Sequence, residues 1–221
     1  MAWSKYWGSN NNINHVILGK WSEYYYKSLI KLSKLNLEDN VLDFGAGTGI
    51  ISGLISSHVS SVFAYDNSKA MNYLCSQKMI NYSNVKCTSS LEDIQDITFI
   101  LINSVLQYID NKELEYLMEY FSEKTNANKM IISDILPDSY NPYTDAIFNL
   151  RYSFKKKFFF TYLFFLIKEF SIRIVPSKDL SWNKYKRNRL MKKIQRYGWH
   201  VELIDNLSPS VNRYSLFCYR D

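Results

Sequence analysis

The chain has 221 residues, 47% of them hydrophobic and 22% charged, which suits one domain with a buried core and excludes a disordered chain. Its net charge of +6 is unevenly placed: residues 151–196 hold 14 Lys and Arg against Glu169 and Asp179, whereas the remainder carries 13 against 19 acids. One basic segment on an acidic body points to an anionic partner and says nothing of fold.

No run approaches the roughly 18 to 20 apolar residues that span a bilayer. The start, MAWSKYWGSNNN, lacks the apolar stretch of a secretory signal, so a cytoplasmic protein is expected. Cys75, Cys87 and Cys218 are odd in number and lack metal-ligand spacing, which reads as a reducing compartment without a structural disulfide or a bound metal. The aromatic share is high at 16%, part of which fits the codon bias of a low-GC genome.

In chain order, Val16 to Leu35 is expected as a helix, with Ile17, Trp21, Tyr24, Tyr25, Leu29 and Leu32 near a 3.6 period. Val41 to Phe44 reads as a buried strand, Gly45 to Gly49 as a glycine turn and Ile50 to Ser57 as a helix. A second strand, Ser61 to Tyr65, ends at Asp66, and Ser68 is placed to cap a helix over Lys69 to Met79. Val85 to Cys87 and Thr98 to Ile102 are further strands, Lys112 to Lys124 an amphipathic helix and Met130 to Ser133 a fifth strand. After a basic aromatic stretch come a helix (Asn188 to Tyr197) and two strands (Trp199 to Ile204 and Tyr214 to Tyr219) joined by the turn-rich NLSPSVN.

This alternation predicts an α/β fold. It is a doubly wound, mostly parallel seven-stranded sheet, with a C-terminal antiparallel hairpin and a helical insertion after strand five. One domain would comprise a helical cap (1–35), a cofactor-binding half (36–135), a basic aromatic lid (136–187) and a final helix with the hairpin (188–221).

The segment with chemistry in it is VLDFGAGTG. Three of seven glycines stand at 45, 47 and 49, where the backbone must turn and admit a ligand without a Cβ in the way. The next helix offers free N–H groups, and the crevice of such folds lies at the carboxyl ends of the strands. About 20 residues on, Asp66 is placed to accept ribose hydroxyls. The bland alternative is a structural turn with Asp66 as a helix cap. A dinucleotide fingerprint would need glycine where Ile50 stands, and a P-loop would need Lys-Ser/Thr where Ile50 and Ile51 stand.

The spacing resembles motif I of class I S-adenosylmethionine-dependent methyltransferases, with Asp43 as the acid two before the first glycine. AYDNS resembles the ribose-binding motif and INSVLQYID the loop after strand four, so the likeness covers about Leu35 to Asp134. It implies S-adenosylmethionine as cofactor, S-adenosylhomocysteine as product and no metal. Gly45, Ala46, Gly47 and Gly49 would contact the methionine part, and Asp43 would orient the loop or bind the amino group. Asp66 would take the ribose, with Asn67 beside the adenine. Ser89 and Ser90 stand where the family often has an Asp for the adenine amine, a departure from the pattern. Asn103 and Ser104 would lie near the sulfonium, Tyr6 and Trp7 would lid the cofactor, and Gln107, Tyr108 and Arg151 are candidate acceptor contacts.

Methyl transfer asks for alignment and exclusion of water more than for covalent help. Where a general base is needed, His15 and Asp134 are the candidates, Asp134 reading equally as a turn cap; His58 and His200 read as structural. The chain has no Asn/Asp-Pro-Pro-Tyr after strand four, which weighs against methylation of a base amine. A small anionic or glycan-type acceptor, such as a phosphate-bearing intermediate of bacterial surface polysaccharide synthesis, would satisfy the basic stretches. RYSFKKKFFFTYLFFLIKEF would also suit peripheral contact with the inner membrane face through 151–170, a stacking platform for nucleic acid, or a simple lid. An RNA methyltransferase and a non-catalytic cofactor-binding subunit remain the alternatives.

Overall fold

A computed structural model describes residues 12–173, 182–204, 207, 210 and 212–221, without the side chains of 12–18, 165 and 168–173. Seven strands form one sheet in the order β3-β2-β1-β4-β5-β7-β6. They are β1 (Asn40–Phe44), β2 (Ser61–Tyr65), β3 (Val85–Thr88), β4 (Phe99–Asn103), β5 (Lys129–Ile135), β6 (His200–Ile204) and β7 (Tyr214–Tyr219). The first five are parallel; β7 runs antiparallel to both β5 and β6. The helices are α1 (Asn12–Ser33), α2 (Ile50–Ile55), α3 (Lys69–Lys78), α4 (Asn111–Glu123), α5 (Pro142–Lys155), α6 (Phe159–Arg173) and α7 (Arg187–Gln195).

The central strands are apolar on both faces because helices cover both. Val41, Phe99, Leu101 and Ile131 pack under Tyr25 and Leu29 of α1 and Ile51 and Ile55 of α2. Their neighbours Leu42, Ile100, Ile102 and Ile132 point the other way, against Leu114, Met118 and Phe121 of α4 and Leu190 and Ile194 of α7. Helix α4 begins at a capping box: Asp110 accepts from the Glu113 amide while the Glu113 carboxylate accepts from the Asp110 amide. Ser68 caps α3 as its sequence suggested, accepting from the Met71 amide.

Most expected elements occur with ends shifted by one or two residues. Helix α2 is shorter than expected, ending at Ile55 and passing into a 3-10 turn, Ser56–His58. The insertion after β5 is a pair of helices, α5 and α6, whose Tyr152, Phe158 and Tyr162 pack with Trp21 of α1. No helix among the described residues is long and apolar enough to cross a membrane.

One expectation is corrected. Cys75 of α3 and Cys87 of β3 are joined by a disulfide, and Cys218 is buried and unpaired. The spacing of 12 residues gave no hint of it, because the contact arises only when α3 folds back across the sheet beside β3. Denatured without reductant, the protein should therefore titrate one thiol with Ellman's reagent, and all three after reduction; three from the start would contradict the bond.

Candidate functional site

The site forms where β1 and β4 lie side by side while their connections leave in opposite directions, which opens a crevice at the carboxyl ends of the strands. Beyond β1, Gly45 and Gly47 have φ of +77° and +55°. The amides of Gly45 and Ala46 both donate to the Tyr65 carbonyl, which bends the loop back over β2. A Cβ on Gly45 would strike Val105 Cγ2 at 2.4 Å, so the loop packs tightly against the segment after β4. A Cβ on Gly47 would meet nothing within 4 Å, so at Gly47 the loop opens on free space.

Asp66, just beyond β2, holds the loop: its carboxylate accepts from the Gly47 amide at 2.9 Å and from the Ser68 amide at 2.9 Å. Two of the roughly four acceptor positions of a carboxylate are thus used, and two remain for a diol. Burial raises the Asp66 carboxyl above its ordinary value, and the two amide bonds offset part of that rise. Asp43 is buried beneath the loop and accepts from Ser52 Oγ of α2 at 2.6 Å. Its pKa is pushed up to about 6, chiefly by burial; the Ser52 bond lowers it and the Asp66 charge raises it.

On the other side of the crevice, Ser104 and Asp134 stand at the ends of β4 and β5 with φ of +58° and +62°. Asp134 lies in a bulge of β5, where the register with β7 shifts between Ile132 and Ile135. Strained backbone and bulges both serve to re-aim side chains at functional sites. Ser104 Oγ donates to Asp134 at 2.6 Å. Arg213, one residue before β7, donates through Nη1 to Asp134 at 2.5 Å and through Nη2 to Asp145 of α5 at 2.8 Å. Tyr140 and Ser210 donate to Asp145 as well.

The basic segment arrives at the same end. The Asn183 amide donates to the Gln107 carbonyl at 2.9 Å, the Tyr185 amide to Leu136 at 2.8 Å, and Lys184 Nζ to the Tyr140 carbonyl at 3.3 Å. Beside it lies an open cleft of about 750 Å³ with Lys184, Lys186, Arg189 and Lys193 on its walls, together with Asp138 and Glu115. No residue of the glycine loop lines this cleft.

No protein-family model matches the chain. Residues of the chain are 28% identical over 109 positions to a probable cobalt-precorrin-6B C(15)-methyltransferase (decarboxylating) of Methanococcus maripaludis. That match covers 48% of this chain and 60% of the relative, so it spans less than two thirds of that enzyme. Among solved structures, magnesium protoporphyrin IX methyltransferase of Synechocystis with bound SAH superposes at a TM-score of 0.59. It is 15% identical, over 96% of this chain and 89% of that one. A SAM-dependent methyltransferase of Aquifex aeolicus gives 0.59 at 16% identity, over 94% and 95%.

The chain has the class I methyltransferase fold.

Within this methyltransferase fold, Asp43, Gly45, Ala46, Gly47, Gly49 and Asp66 are brought together as their spacing implied. Asn67 is exposed beside Asp66. Ser89 is exposed at the end of β3, whereas Ser90 is turned back to accept from the Glu92 amide. Ser133 Oγ lies 3.0 Å from Asn103 Oδ1 and 2.8 Å from the buried Tyr25 hydroxyl, and its single proton serves one of the two at a time. Gln107 is buried and Tyr108 half-buried in the loop after β4. Arg151 is exposed on α5 and is not part of the Arg213 cluster. Tyr6 and Trp7 lie outside the described residues, and so does the side chain of His15.

His58 and His200 sit at the amino end of the sheet, away from the crevice. His58 precedes β2 and bonds the Tyr26 hydroxyl at 2.8 Å; His200 pairs with Tyr219, which faces Lys129 at the start of β5. Sequence reasoning missed Arg213, Asp145 and Tyr25. The only local signal was an arginine directly before the last strand, and nothing near it in the chain names its partners.

Two outcomes follow. The folded Asp43 carboxyl titrates near 6, against about 3.9 in an unfolded chain. Its contribution to stability is therefore full below the unfolded value and lost as pH rises through about 6. Between pH 5 and pH 8, urea unfolding should show the native protein losing about 1 kcal/mol that Asp43→Asn does not lose; parallel profiles would refute the assignment. Arg213→Met leaves two largely buried carboxylates without their cation and should cost about 3 kcal/mol. Adding Asp145→Asn should recover part of that loss in the same unfolding assay, and additive losses would show that the ion pair is not the cause.

Proposed function

We propose that the protein transfers a methyl group from S-adenosylmethionine to an oxygen or nitrogen of a small anionic acceptor. The observation that carries the cofactor assignment is the Gly47 opening beside Asp66: free space over a glycine, a carboxylate with two acceptor positions left, and backbone amides already fixed around it. These residues fit a nucleoside cofactor with a vicinal diol. Asp66 would take the ribose hydroxyls, and the loop from Gly45 to Gly49 would lie along the methionine part. Asp43, through Ser52, keeps that loop fixed on α2. The methionine part carries a sulfonium, which supplies an already activated methyl group.

The chain's own task is then alignment and exclusion of water. Ser104 and Asp134, set at the ends of adjacent strands, face the side from which an acceptor would enter. Asp134 fixes the Ser104 hydroxyl, and Arg213 fixes Asp134, so the pair orients an acceptor group by hydrogen bonds. The similarity of fold and the partial match to the probable cobalt-precorrin-6B C(15)-methyltransferase support methyl transfer as the reaction class.

The anionic acceptor rests on the cleft of Lys184, Lys186, Arg189 and Lys193 at the carboxyl end of the sheet. Phosphate-bearing glycan intermediates would suit these cations. A second reading, favoured by the match to the cobalt-precorrin enzyme, is a tetrapyrrole acceptor with carboxylate side chains.

Isothermal titration should show binding of S-adenosylmethionine and not of NAD, weakened by about tenfold or more in Asp66→Ala, the loss expected when charge-assisted bonds to a ligand are removed. Formation of S-adenosylhomocysteine with sugar phosphates or with tetrapyrrole carboxylates would then assign the acceptor. Absence of S-adenosylmethionine binding would overturn the reading, and binding without turnover on any acceptor would favour a non-catalytic cofactor-binding subunit.

A further inference from the structure

Helix α5 buries a polar stripe of Asp145, Asn149 and Ser153 and turns large apolar side chains outward, and α6 has apolar side chains on both sides. Their inner side is accounted for: Tyr152, Phe158 and Tyr162 pack with Trp21, and Asp145 is tied to Arg213. Their outer side is exposed. Tyr143, Ile147 and Phe154 on α5 are 73%, 54% and 74% accessible, and Phe160 and Phe164 on α6 are 82% and 57% accessible. Phe160, Leu163 and Phe164 follow the i, i+3, i+4 spacing of one helix face. The two helices meet in a continuous aromatic edge, with ring centroids 5.9 Å apart for Phe154–Phe159 and 5.5 Å for Phe159–Phe160.

The charge around this edge is mostly positive; the acid that reaches it from α1, the exposed Glu23, is near enough to feel Lys156 and is paired with Lys27. Lys155, Lys156 and Lys157 form the connection between the helices, and Arg151 lies one turn before it; all four are exposed. From Pro142 to Ile167 the sequence holds one acid, Asp145, and that is buried and paired. Soluble surfaces rarely carry clustered large apolar side chains without a partner. Rings and aliphatic chains facing out, with lysines at their margin and no exposed acid from Pro142 to Ile167, are the chemistry of a helix lying in the interface of an anionic bilayer.

We propose that the outer face of the α5–α6 hairpin docks the protein on the surface of an anionic lipid bilayer. The aromatic edge at the Lys155–Lys157 turn enters the headgroup region, and the lysines pair with lipid phosphates. A second copy fits less well, since a two-fold contact through this face would bring the same four cations together. Single-stranded nucleic acid would use the rings but not Ile147 or Leu163. Because Arg213 ties α5 to the ends of β5 and β7, docking would hold the acceptor side of the crevice in a set relation to the membrane. The proposal does not depend on the methyl-transfer reading.

Sedimentation of the full chain with vesicles tests it. The protein should bind vesicles of phosphatidylcholine with phosphatidylglycerol, bind pure phosphatidylcholine far more weakly, and be released by salt. Phe160→Ser with Phe164→Ser should weaken binding by about tenfold or more. Lys155→Gln with Lys156→Gln and Lys157→Gln should weaken it about 100-fold on the anionic vesicles and little on the neutral ones. All five positions are on the surface, and unchanged circular dichroism with an unchanged thermal unfolding midpoint would separate loss of docking from loss of fold. No vesicle binding, binding indifferent to both sets of substitutions, a dimer abolished by the phenylalanine changes, or tighter binding of single-stranded RNA than of vesicles would each overturn it.

Discussion

A guanidinium held between two carboxylates joins parts of this molecule that the sheet alone does not. Asp134 belongs to β5, Asp145 to the first turn of α5, and Arg213 to the approach to β7. Bringing these charges out of water is expensive, and their attraction in the interior repays that only where the geometry is good and further hydrogen bonds are made. Here Ser104, Tyr140 and Ser210 supply them. An apolar substitute could give as much stability; the hydrogen bonds of this cluster are directional and join the start of α5 to the ends of β4 and β5.

That placement sets the two walls of the crevice against each other. One wall is the glycine loop, fixed from below by Asp43 and Ser52 and from the side by Asp66. The other is Ser104 with Asp134, each in a backbone conformation that non-glycine residues seldom adopt. The bulge in β5 turns Asp134 out of the strand's alternation, so the side chain reaches Ser104 and Arg213. Tyr25, from a helix more than 100 residues away in sequence, closes the floor through Ser133.

How much of this was legible in the sequence depended on range. The glycine loop, Asp66 and the apolar runs of β1 and β4 are local, because each rests on a few consecutive residues. Helix α4 was equally legible from its apolar stripe, which lies in one stretch; its capping box came with the structure. The disulfide and the Arg213 cluster were not, since each joins residues whose proximity exists only once the sheet is assembled; Arg213 and Asp134 are 79 positions apart. His58 and His200 illustrate the converse: the residue type suggests chemistry, but the topology carries both to the far end of the sheet.

The insertion after β5 shows why composition alone left its role open. RYSFKKKFFFTYLFFLIKEF contains enough aromatic side chains for both sides of a helical pair, and a sequence cannot say which of them turn inward. Packing decides it. The inner set, Tyr152, Phe158 and Tyr162, sits where α1 offers Tyr24 edge-on to Tyr152 and Trp21 tilted against Tyr162. The fold needs no more than this to bury the hairpin. Phe154, Phe160 and Phe164 lie outside that packing, exposed beside Lys155, Lys156 and Lys157, and they are the surface on which the proposed docking rests.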